Sequence, residues 1–147
     1  MKKRIRQAAL TDLIDITVRF GETDAMNIAW HGSYVKYLED GRESFGKKYG
    51  IGYRDIFDNG YKAPIVEMKI EYKKSVTFGH KITVETRYIN SEAAKIIFDY
   101  FIRDENKDIA ATASTVQVFI DLNNELQLVC PEFYLKWKKE MNIDSFV

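Results

Sequence analysis

The residues best suited to chemistry lie between Gly21 and Tyr34, where a short apolar stretch separates Asp24 from His31. A carboxylate can attack a carbonyl carbon or remove a proton from water, and hydrolysis also needs hydrogen-bond donors for the oxyanion that forms. Unpaired backbone N–H groups at the start of a helix are such donors, and they lie at the positive end of the helix dipole. Asp24 and the backbone amide of His31 therefore predict a carboxylate beside an oxyanion site.

Each of these residues also has a purely structural interpretation. An aspartate in a loop before a helix is commonly a turn or capping residue, so Asp24 alone would not indicate catalysis. Glu22 suits a solvated or ion-paired loop position, although two nearby carboxylates can raise one pKa and favour a base. The His31 ring suits either a surface position or contact with substrate or water. Ser33 is expected to cap the helix, because a serine hydroxyl accepts from first-turn amides.

Several other chemistries lack support in the sequence. His31 and His80 are the only two histidines and no G-x-S-x-G elbow is present, so a serine hydrolase triad is not indicated. The chain has no G-x-G-x-x-G or phosphate loop, and the two histidines do not form a recognisable metal set. His80 follows Gly79 and is expected in a turn. Cys130 is the single cysteine and is expected to be a small buried or half-buried apolar residue.

The charge balance argues against a polyanionic partner. Lys and Arg total 22 and Asp and Glu total 22 in 147 residues, so no net field attracts nucleic acid or an anionic membrane. No stretch approaches the roughly 18 apolar residues that span a bilayer. The basic run Met1–Arg6 continues into Gln7 and Asp12 without the apolar region of a signal peptide. A soluble cytoplasmic protein with no nucleic-acid or membrane partner is expected.

The elements that position the candidate site follow from hydrophobic periodicity. Alternation over Asp15–Phe20, with Ile16, Val18 and Phe20 on one face, predicts a first strand. The stretch from Gly21 to Gly32 has no sustained period and is expected to be a loop. Apolar residues then recur every three or four positions from Tyr34 to Tyr49, which predicts a helix that ends at Gly50 or Gly52. Glu39 and Arg42 lie on one face of this helix and are expected to form an ion pair.

Beyond Pro64 the period changes to two. Strands are predicted over the alternating segments 66–72, 81–88, 95–103 and 109–121, and the polar breaks between them suit turns. Short breaks between successive strands predict an antiparallel meander, and Pro131 predicts the start of a final helix that carries Phe133, Trp137 and Met141. An antiparallel sheet of about five strands covered by one long helix is an α+β architecture. We expect a single domain over residues 1–147.

The segment from Val18 to Arg42 resembles the signature of the 4-hydroxybenzoyl-CoA thioesterase family, including its relatives associated with the Tol-Pal system. The shared features are a strand, an acid-Thr-Asp triplet, a short apolar stretch, an aromatic residue and a histidine at the helix start, then a tyrosine, and an acidic residue three before an arginine. The resemblance implies the hotdog fold, in which a curved sheet wraps a central helix. It departs at Asn27, where the family usually has glycine, and at Ser33, where it often has asparagine.

The resemblance also implies an activity. Family members hydrolyse acyl-CoA thioesters without a metal or organic cofactor, at sites built across a subunit interface. It implies that Asp24 is the catalytic nucleophile or general base and that the backbone amide at His31 polarises the thioester carbonyl. Trp30, Ser33 and Tyr34 are the expected substrate-binding residues. A related hotdog clan uses a glutamate of the helix, which makes Glu39 and Glu43 alternative carboxylates.

Three other functions stay open on the sequence. An acyl-ACP thioesterase differs only in the thiol that leaves, and a hotdog dehydratase pairs a histidine with an acid on the same fold, although its His-Phe-Pro-Gly type of motif is absent. A non-catalytic acyl-binding module would keep the fold without needing Asp24. The partners expected are an acyl-CoA substrate and further copies of the chain in a homodimer or homotetramer, because a single curved sheet leaves an edge and an apolar flank to protect.

Overall fold

One antiparallel sheet of five strands and one long helix form two layers in the structure, a computed structural model that describes residues 5–143. Of the run Met1–Arg6, only Ile5 and Arg6 lie within the described residues. The elements are β1 (Leu10–Thr17), α1 (Ser33–Tyr49), α2 (Tyr53–Asp58), β2 (Tyr61–Lys62), β3 (Ile65–Tyr72), β4 (Lys81–Ile89), β5 (Lys95–Arg103), β6 (Ile109–Val118), β7 (Ile120–Asp121) and α3 (Glu132–Glu140).

The central strands β4 and β5 bury alternate side chains, as their sequence predicts. Their inward positions are buried and face α1, while the intervening side chains remain partly exposed on the other face of the sheet. The buried residues of these two strands are Ile82, Val84, Thr86, Tyr88, Ile89, Ile96, Phe98, Tyr100 and Ile102. The predicted α+β class and the five-stranded antiparallel sheet are confirmed.

The predicted meander is wrong at one strand. The sheet order is β1-β4-β5-β6-β3, so β3 pairs with β6 at the far edge and not with β4. The connecting segment 73–80 makes no hairpin and pairs instead with the candidate site loop: Ala29 donates to the Val76 carbonyl at 2.8 Å, and Ile28 bridges Thr77. Turn residues mark where a strand ends, but they do not say which edge the chain joins next.

Helix α1 covers β1 and β4 with its apolar face, and its predicted bounds agree with the structure to within one residue. Tyr34, Tyr37, Leu38 and Phe45 are buried on that face. Gly41 is required by the close approach of the helix to the sheet, because a Cβ there would lie 2.5 Å from the Thr86 hydroxyl oxygen. The absence of a side chain at Gly41 therefore allows the helix to pack close to the sheet at this position.

The first strand begins five residues earlier than predicted and ends at Thr17. Asp12 points inward and its carboxylate accepts a 2.6 Å hydrogen bond from the Ser44 hydroxyl, while Leu13 points outward and is exposed. Because the inward residue is polar and the outward residue is apolar, the apolar alternation that predicts a strand is missing at this point of the sequence. Phe20, predicted on the buried face, is 73% exposed in a 3-10 turn, and its ring packs on Phe78.

The remaining elements lie around the carboxyl end of α1. Helix α3 starts directly after Pro131, as predicted, and buries Tyr134 and Trp137. The short helix α2 and the two-stranded sheet β2-β7 were not predicted, because elements of two to six residues carry too little periodicity. Within residues 5–143, no helix is both long and apolar enough to cross a membrane.

Candidate active site

The loop between β1 and α1 folds back on itself as a small antiparallel ladder. The Trp30 amide donates to the Glu22 carbonyl at 2.9 Å, Thr23 bridges Ala29, and the Asp24 amide donates to the Ile28 carbonyl at 2.9 Å. One arm of this ladder therefore carries Asp24, and the other leads directly to the start of α1. The sequence predicted only that these residues lie in one loop. The hydrogen bonds of the ladder fix which residues of the two arms lie opposite each other.

Asp24 is half-buried at the turn of this ladder. Its Oδ1 accepts a 2.8 Å hydrogen bond from the Met26 amide, and its carbonyl accepts from the Asn27 amide at 3.0 Å. Asn27 adopts φ 63°, a left-handed conformation that asparagine tolerates better than most residues. The structural role of Asp24 as a turn residue is therefore present. No hydrogen bond from a described residue reaches Oδ2, so one carboxylate oxygen is available to a substrate.

Two backbone amides at the start of α1 have no partner in the part of the chain that the structure describes. They belong to His31 and Gly32. The next amides close the first turn: Ser33 donates to the Trp30 carbonyl at 2.9 Å, and Val35 donates to the Gly32 carbonyl at 3.3 Å. Unpaired N–H groups at a helix start form a donor site for an oxyanion.

Ser33 does not cap the helix as the sequence predicted. Gly32 occupies the capping position, and Ser33 is the first helical residue. The Ser33 hydroxyl donates to the Glu22 carbonyl at 2.8 Å, the same carbonyl that accepts from the Trp30 amide. Ser33 therefore fastens the helix start to the first arm of the loop.

Trp30 lies over the glycine that begins the helix. A Cβ placed on Gly32 would lie 2.1 Å from the Trp30 ring, so any larger residue would require the indole to move. The Trp30 side chain is 51% exposed, and its ring centroid lies 4.9 Å from that of His31, whose side chain is also exposed. Both aromatic side chains therefore border the two unpaired amides.

Three tyrosines pack behind the helix start. Tyr34 is 3% exposed and makes edge-to-face contacts with Tyr37 and Tyr72, at ring distances of 5.6 and 4.9 Å. Burial raises the pKa of the Tyr34 hydroxyl, and so does its proximity to Tyr72. Burial and the charge of Glu22 raise the pKa of Tyr37, so both phenols stay neutral near pH 7.

Two hydroxyls of this group make hydrogen bonds that the sequence did not predict. Tyr37 donates to Glu22 Oε1 at 3.2 Å, and the same oxygen accepts from the Arg19 amide at 2.8 Å. Glu22 is therefore a cap of the 3-10 turn rather than a solvated or ion-paired residue. Tyr72 donates to the His31 carbonyl at 2.8 Å. No local pattern reports this contact, because it depends on β3 lying at the far edge of the sheet.

The structure also tests the roles predicted for residues outside the loop, namely Glu39, Arg42, Glu43 and His80. The ion pair of Glu39 with Arg42 is wrong: Glu39 is exposed and Arg42 donates to the Tyr100 hydroxyl at 3.3 Å. Glu43 is exposed and pairs with Lys47 at 3.4 Å. The turn position of His80 is confirmed, since its amide donates to the Thr77 carbonyl at 3.1 Å.

Cys130 is half-buried, as predicted, and its Sγ lies 3.4 Å from the Ala93 carbonyl oxygen. Across residues 5–143 the structure contains no group of three or more His, Cys, Asp and Glu side chains that could hold a metal ion.

Comparison with known proteins connects this geometry to a family. The family model described as the thioesterase-like superfamily matches residues 18–138. YneP of Bacillus subtilis, to which acyl-CoA thioesterase activity is provisionally assigned, is 26% identical over 129 residues, which cover 85% of this chain and 94% of YneP. The chloroplastic acyl-acyl carrier protein thioesterase ATL3 of Arabidopsis thaliana is 27% identical over 74% of this chain and 57% of its own length.

A solved structure extends the comparison to three dimensions. The crystal structure of the DHNA-CoA thioesterase from Staphylococcus aureus superposes with a TM-score of 0.78 at 26% sequence identity. The superposition covers 93% of this chain and 97% of the Staphylococcus aureus protein. The family model, which spans residues 18–138, includes the loop that carries Asp24 and helix α1.

Proposed function

This chain belongs to the thioesterase-like superfamily, and from that premise we propose that it hydrolyses an acyl-CoA thioester with Asp24 as the reacting carboxylate. The hotdog fold expected from the sequence is confirmed by the superposition on a thioesterase of that fold and by the five-stranded sheet with its long helix. Thioester hydrolysis is the activity given in the names of YneP and of the Staphylococcus aureus protein. We propose that Asp24 and the amides of His31 and Gly32 carry it out.

The observation that supports the assignment most directly is the shared ladder of the site loop. Asp24 lies on one arm with Oδ2 unpaired within the described residues, and the other arm ends in the unpaired amides of His31 and Gly32. A carboxylate and two oxyanion donors are the groups that acyl transfer requires. Their common framework is fastened by Ser33 and Tyr37, which both donate to Glu22.

Two chemical routes use these groups. In the first, a carboxylate oxygen of Asp24 attacks the thioester carbonyl carbon, the C–S bond breaks, the thiol leaves, and water then hydrolyses the mixed anhydride. In the second, Asp24 takes a proton from water while the water oxygen attacks the same carbon, and the C–S bond breaks with release of acid and thiol. Both routes place negative charge on the carbonyl oxygen, where the His31 amide would donate to it.

The residues proposed to contact the substrate lie at the start of α1, beside the same two amides. Trp30 offers an exposed ring beside the His31 amide, and Tyr34 forms part of the tyrosine group behind it. Ser33 already donates its hydroxyl hydrogen to Glu22, so it would contact substrate only as an acceptor. Of these residues, Trp30 is the one whose exposed ring is free to meet an incoming acyl group.

The acyl group and the leaving thiol are also part of the proposal. The resemblance to the 4-hydroxybenzoyl-CoA thioesterases and the similarity to a DHNA-CoA thioesterase favour an aromatic acyl-CoA. The similarity to an acyl-acyl carrier protein thioesterase favours trying the carrier-protein thioester as well. A cytoplasmic location remains a prediction of the sequence.

A homodimer or homotetramer is proposed from the sheet edge. Within residues 5–143, strand β3 pairs only with β6 and its other edge is open, and Val66 on this strand is exposed. Open edges invite pairing with a second copy. Light scattering should therefore give a mass at least twice the 17.2 kDa of the chain, and a monomer would contradict the proposal.

The proposed role of Asp24 is tested with the substitution Asp24→Asn. Asparagine keeps an oxygen that can accept from the Met26 amide, so the turn should survive while the carboxylate is lost. We expect kcat to fall at least about 100-fold on a panel of 4-hydroxybenzoyl, dihydroxynaphthoyl and aliphatic CoA thioesters and acyl-carrier-protein thioesters. Asp58→Asn, an exposed aspartate of α2, is the matched control and should keep wild-type activity.

Two outcomes would contradict the proposal. Wild-type protein that hydrolyses no thioester of the panel would favour a non-catalytic acyl-binding module. Hydrolysis that is equally fast in wild type and Asp24→Asn would keep the activity and remove Asp24 from it. Circular dichroism of both variants separates either outcome from a failure to fold.

A further inference from the structure

Tyr72 joins the edge strand β3 to the start of helix α1. It is the last residue of β3, is paired with Ala111 of β6, and its hydroxyl donates to the His31 carbonyl at 2.8 Å. The two residues that follow Tyr72 are held as well, because the amides of Lys73 and Lys74 both donate to the Ala110 carbonyl. The hydroxyl therefore projects from a backbone that the sheet holds in place.

The carbonyl that Tyr72 holds belongs to the peptide whose amide is one of the two unpaired donors. The described residues contain no cis peptide bond, and in a trans peptide the C=O and N–H bonds point in opposite directions. Fixing the His31 carbonyl therefore fixes the direction of the Gly32 N–H. The only other donor to this carbonyl within the described residues is the Tyr34 amide at the longer distance of 3.4 Å.

The neighbouring peptide is fixed differently. The His31 N–H belongs to the peptide whose carbonyl is that of Trp30, and this carbonyl accepts from the Ser33 amide at 2.9 Å within the helix start itself. The direction of the His31 amide is therefore set by local backbone geometry. The direction of the Gly32 amide depends on a side chain from a strand that lies 41 residues away in sequence.

We infer that Tyr72 is a positioning residue for thioester hydrolysis, whose hydroxyl holds the His31–Gly32 peptide so that the Gly32 N–H acts with the His31 N–H as an oxyanion donor. The inference rests on the proposed function, since it assigns a task to the amides of the same site. Tyr72 itself would touch neither the acyl carbon nor the thiol, and it would act only through the peptide.

Preorganised donors stabilise the oxyanion because they do not have to reorient as the charge forms. A hydrogen bond to the carbonyl of a peptide also polarises its N–H, which strengthens that N–H as a donor. Burial raises the pKa of the Tyr72 hydroxyl, so the group remains a neutral donor through the pH range of an ordinary assay. The contact is therefore expected to persist while the site turns over.

The test is Tyr72→Phe, which removes the hydroxyl and keeps the ring that packs on Tyr34. Tyr49→Phe is the matched control, because the Tyr49 hydroxyl also donates to a backbone carbonyl, that of Thr11 at 2.7 Å, near the other end of the same helix. We expect Tyr72→Phe to lower kcat about 10- to 100-fold with KM unchanged, since a misdirected donor loses part of the effect of a removed one. Tyr49→Phe should leave kcat unchanged.

Both kinetic constants are measured on the substrate of the panel that the wild type hydrolyses fastest, together with urea unfolding of each variant. Equal kcat in Tyr72→Phe and wild type would overturn the inference. A raised KM with unchanged kcat would overturn it too, because Tyr72 would then be a binding contact. A loss of kcat in Tyr72→Phe and Tyr49→Phe alike would assign the effect to general loosening of α1.

The Asp24→Asn variant is measured in parallel. If Asp24→Asn abolishes turnover and Tyr72→Phe does not change it, the positioning role alone fails. If no thioester is hydrolysed or Asp24→Asn has no effect, the failure is that of the proposed function.

Discussion

At the carboxyl end of α1 the backbone is capped and covered, whereas at its amino end two N–H groups are left without partners in the described chain. Gly50 adopts φ 70° there and its amide donates to the Gly46 carbonyl, while Trp137 Nε1 donates to the Tyr49 carbonyl at 2.7 Å. The amino end instead presents the amides of His31 and Gly32 beside an exposed indole. One end of the helix thus has its backbone groups satisfied, and the other has hydrogen-bond donors that the described residues leave unused.

The side chains around the two ends follow the same division. The carboxyl end contacts a continuous aromatic cluster, in which Phe45 packs on Tyr88 and Phe98, and Tyr88 packs on Trp137. The amino end has a smaller tyrosine group whose hydroxyls hold Glu22 and the His31 carbonyl. The difference teaches that aromatic residues packed around one helix can form a core at one end and, through their hydroxyls, hold polar groups at the other.

Removing the largest side chain of the carboxyl end should affect stability and leave chemistry alone. Trp137 is 5% exposed, so Trp137→Ala is expected to lower the free energy of unfolding by about 3–5 kcal/mol, because a cavity forms and the Tyr49 carbonyl loses its donor. Urea denaturation measures this loss. Trp137→Phe, which keeps a ring but not the N–H, should cost about 1 kcal/mol. A large fall of kcat per folded molecule would show that the two ends are not independent.

A substitution that crowds the amino end of α1 should instead lower kcat and leave stability nearly unchanged. Gly32→Ala places a methyl group against the Trp30 ring, which must move. We expect kcat to fall about 10- to 100-fold, because the adjacent amides shift with it, while the free energy of unfolding changes little. The double variant with Trp30→Ala provides the control: in that background the added methyl should have no further effect on kcat. A stability loss as large as that of Trp137→Ala would break the comparison.

The helix cap provides a smaller test. Gly50→Ala puts a Cβ on a left-handed residue with nothing within 4 Å, so the cost is purely conformational and should be about 1 kcal/mol. Gly21→Ala is the control, since Gly21 also has nothing within 4 Å and its φ is not left-handed. Thermal unfolding should separate the two variants. Equal melting temperatures would show that the left-handed conformation of Gly50 does not contribute to stability at the carboxyl end of α1.

The smallest expected effect concerns Asp40, in the middle of α1 between the two ends. Burial and the neighbouring charges of Glu43 and Glu39 raise its pKa, and Lys36 opposes them only in part. The penalty for ionising Asp40 in the folded state is absent below about pH 4, where the unfolded carboxyl is protonated. Stability is therefore lost as the pH rises through the raised pKa. Asp40→Asn should be slightly more stable than wild type at pH 7, and the gain should vanish at acid pH.

Much of the fold could be predicted because hydrophobic periodicity is a local property of the chain. The long helix was predicted to within one residue from the spacing of Tyr34, Leu38 and Phe45, and β5 was predicted at the bounds that the structure has. The first strand was misplaced because Asp12 faces the core and Leu13 faces outward, so that local alternation and actual burial disagree. A pattern-based prediction fails where a buried polar residue finds a partner from another element, as Asp12 does in Ser44.

The candidate site divides in the same way. Asp24, Trp30 and His31 were proposed from residue type and order, since they occupy one continuous segment. Ser33 was assigned the wrong hydrogen bond, because its partner, the Glu22 carbonyl, comes within reach only when the loop folds back.

The sequence by itself determined the long helix α1 and the central strands β4 and β5, and it placed Asp24, the proposed reacting carboxylate, in the loop before that helix, because periodicity, glycine positions and residue order are properties of neighbouring residues. Tertiary structure alone decided that β3 pairs with β6 at the far edge and that its last residue, Tyr72, reaches the His31 carbonyl. The reason is physical. Strand pairing across a sheet is settled by contacts between residues far apart in the chain, and no local pattern records which edge a strand will join.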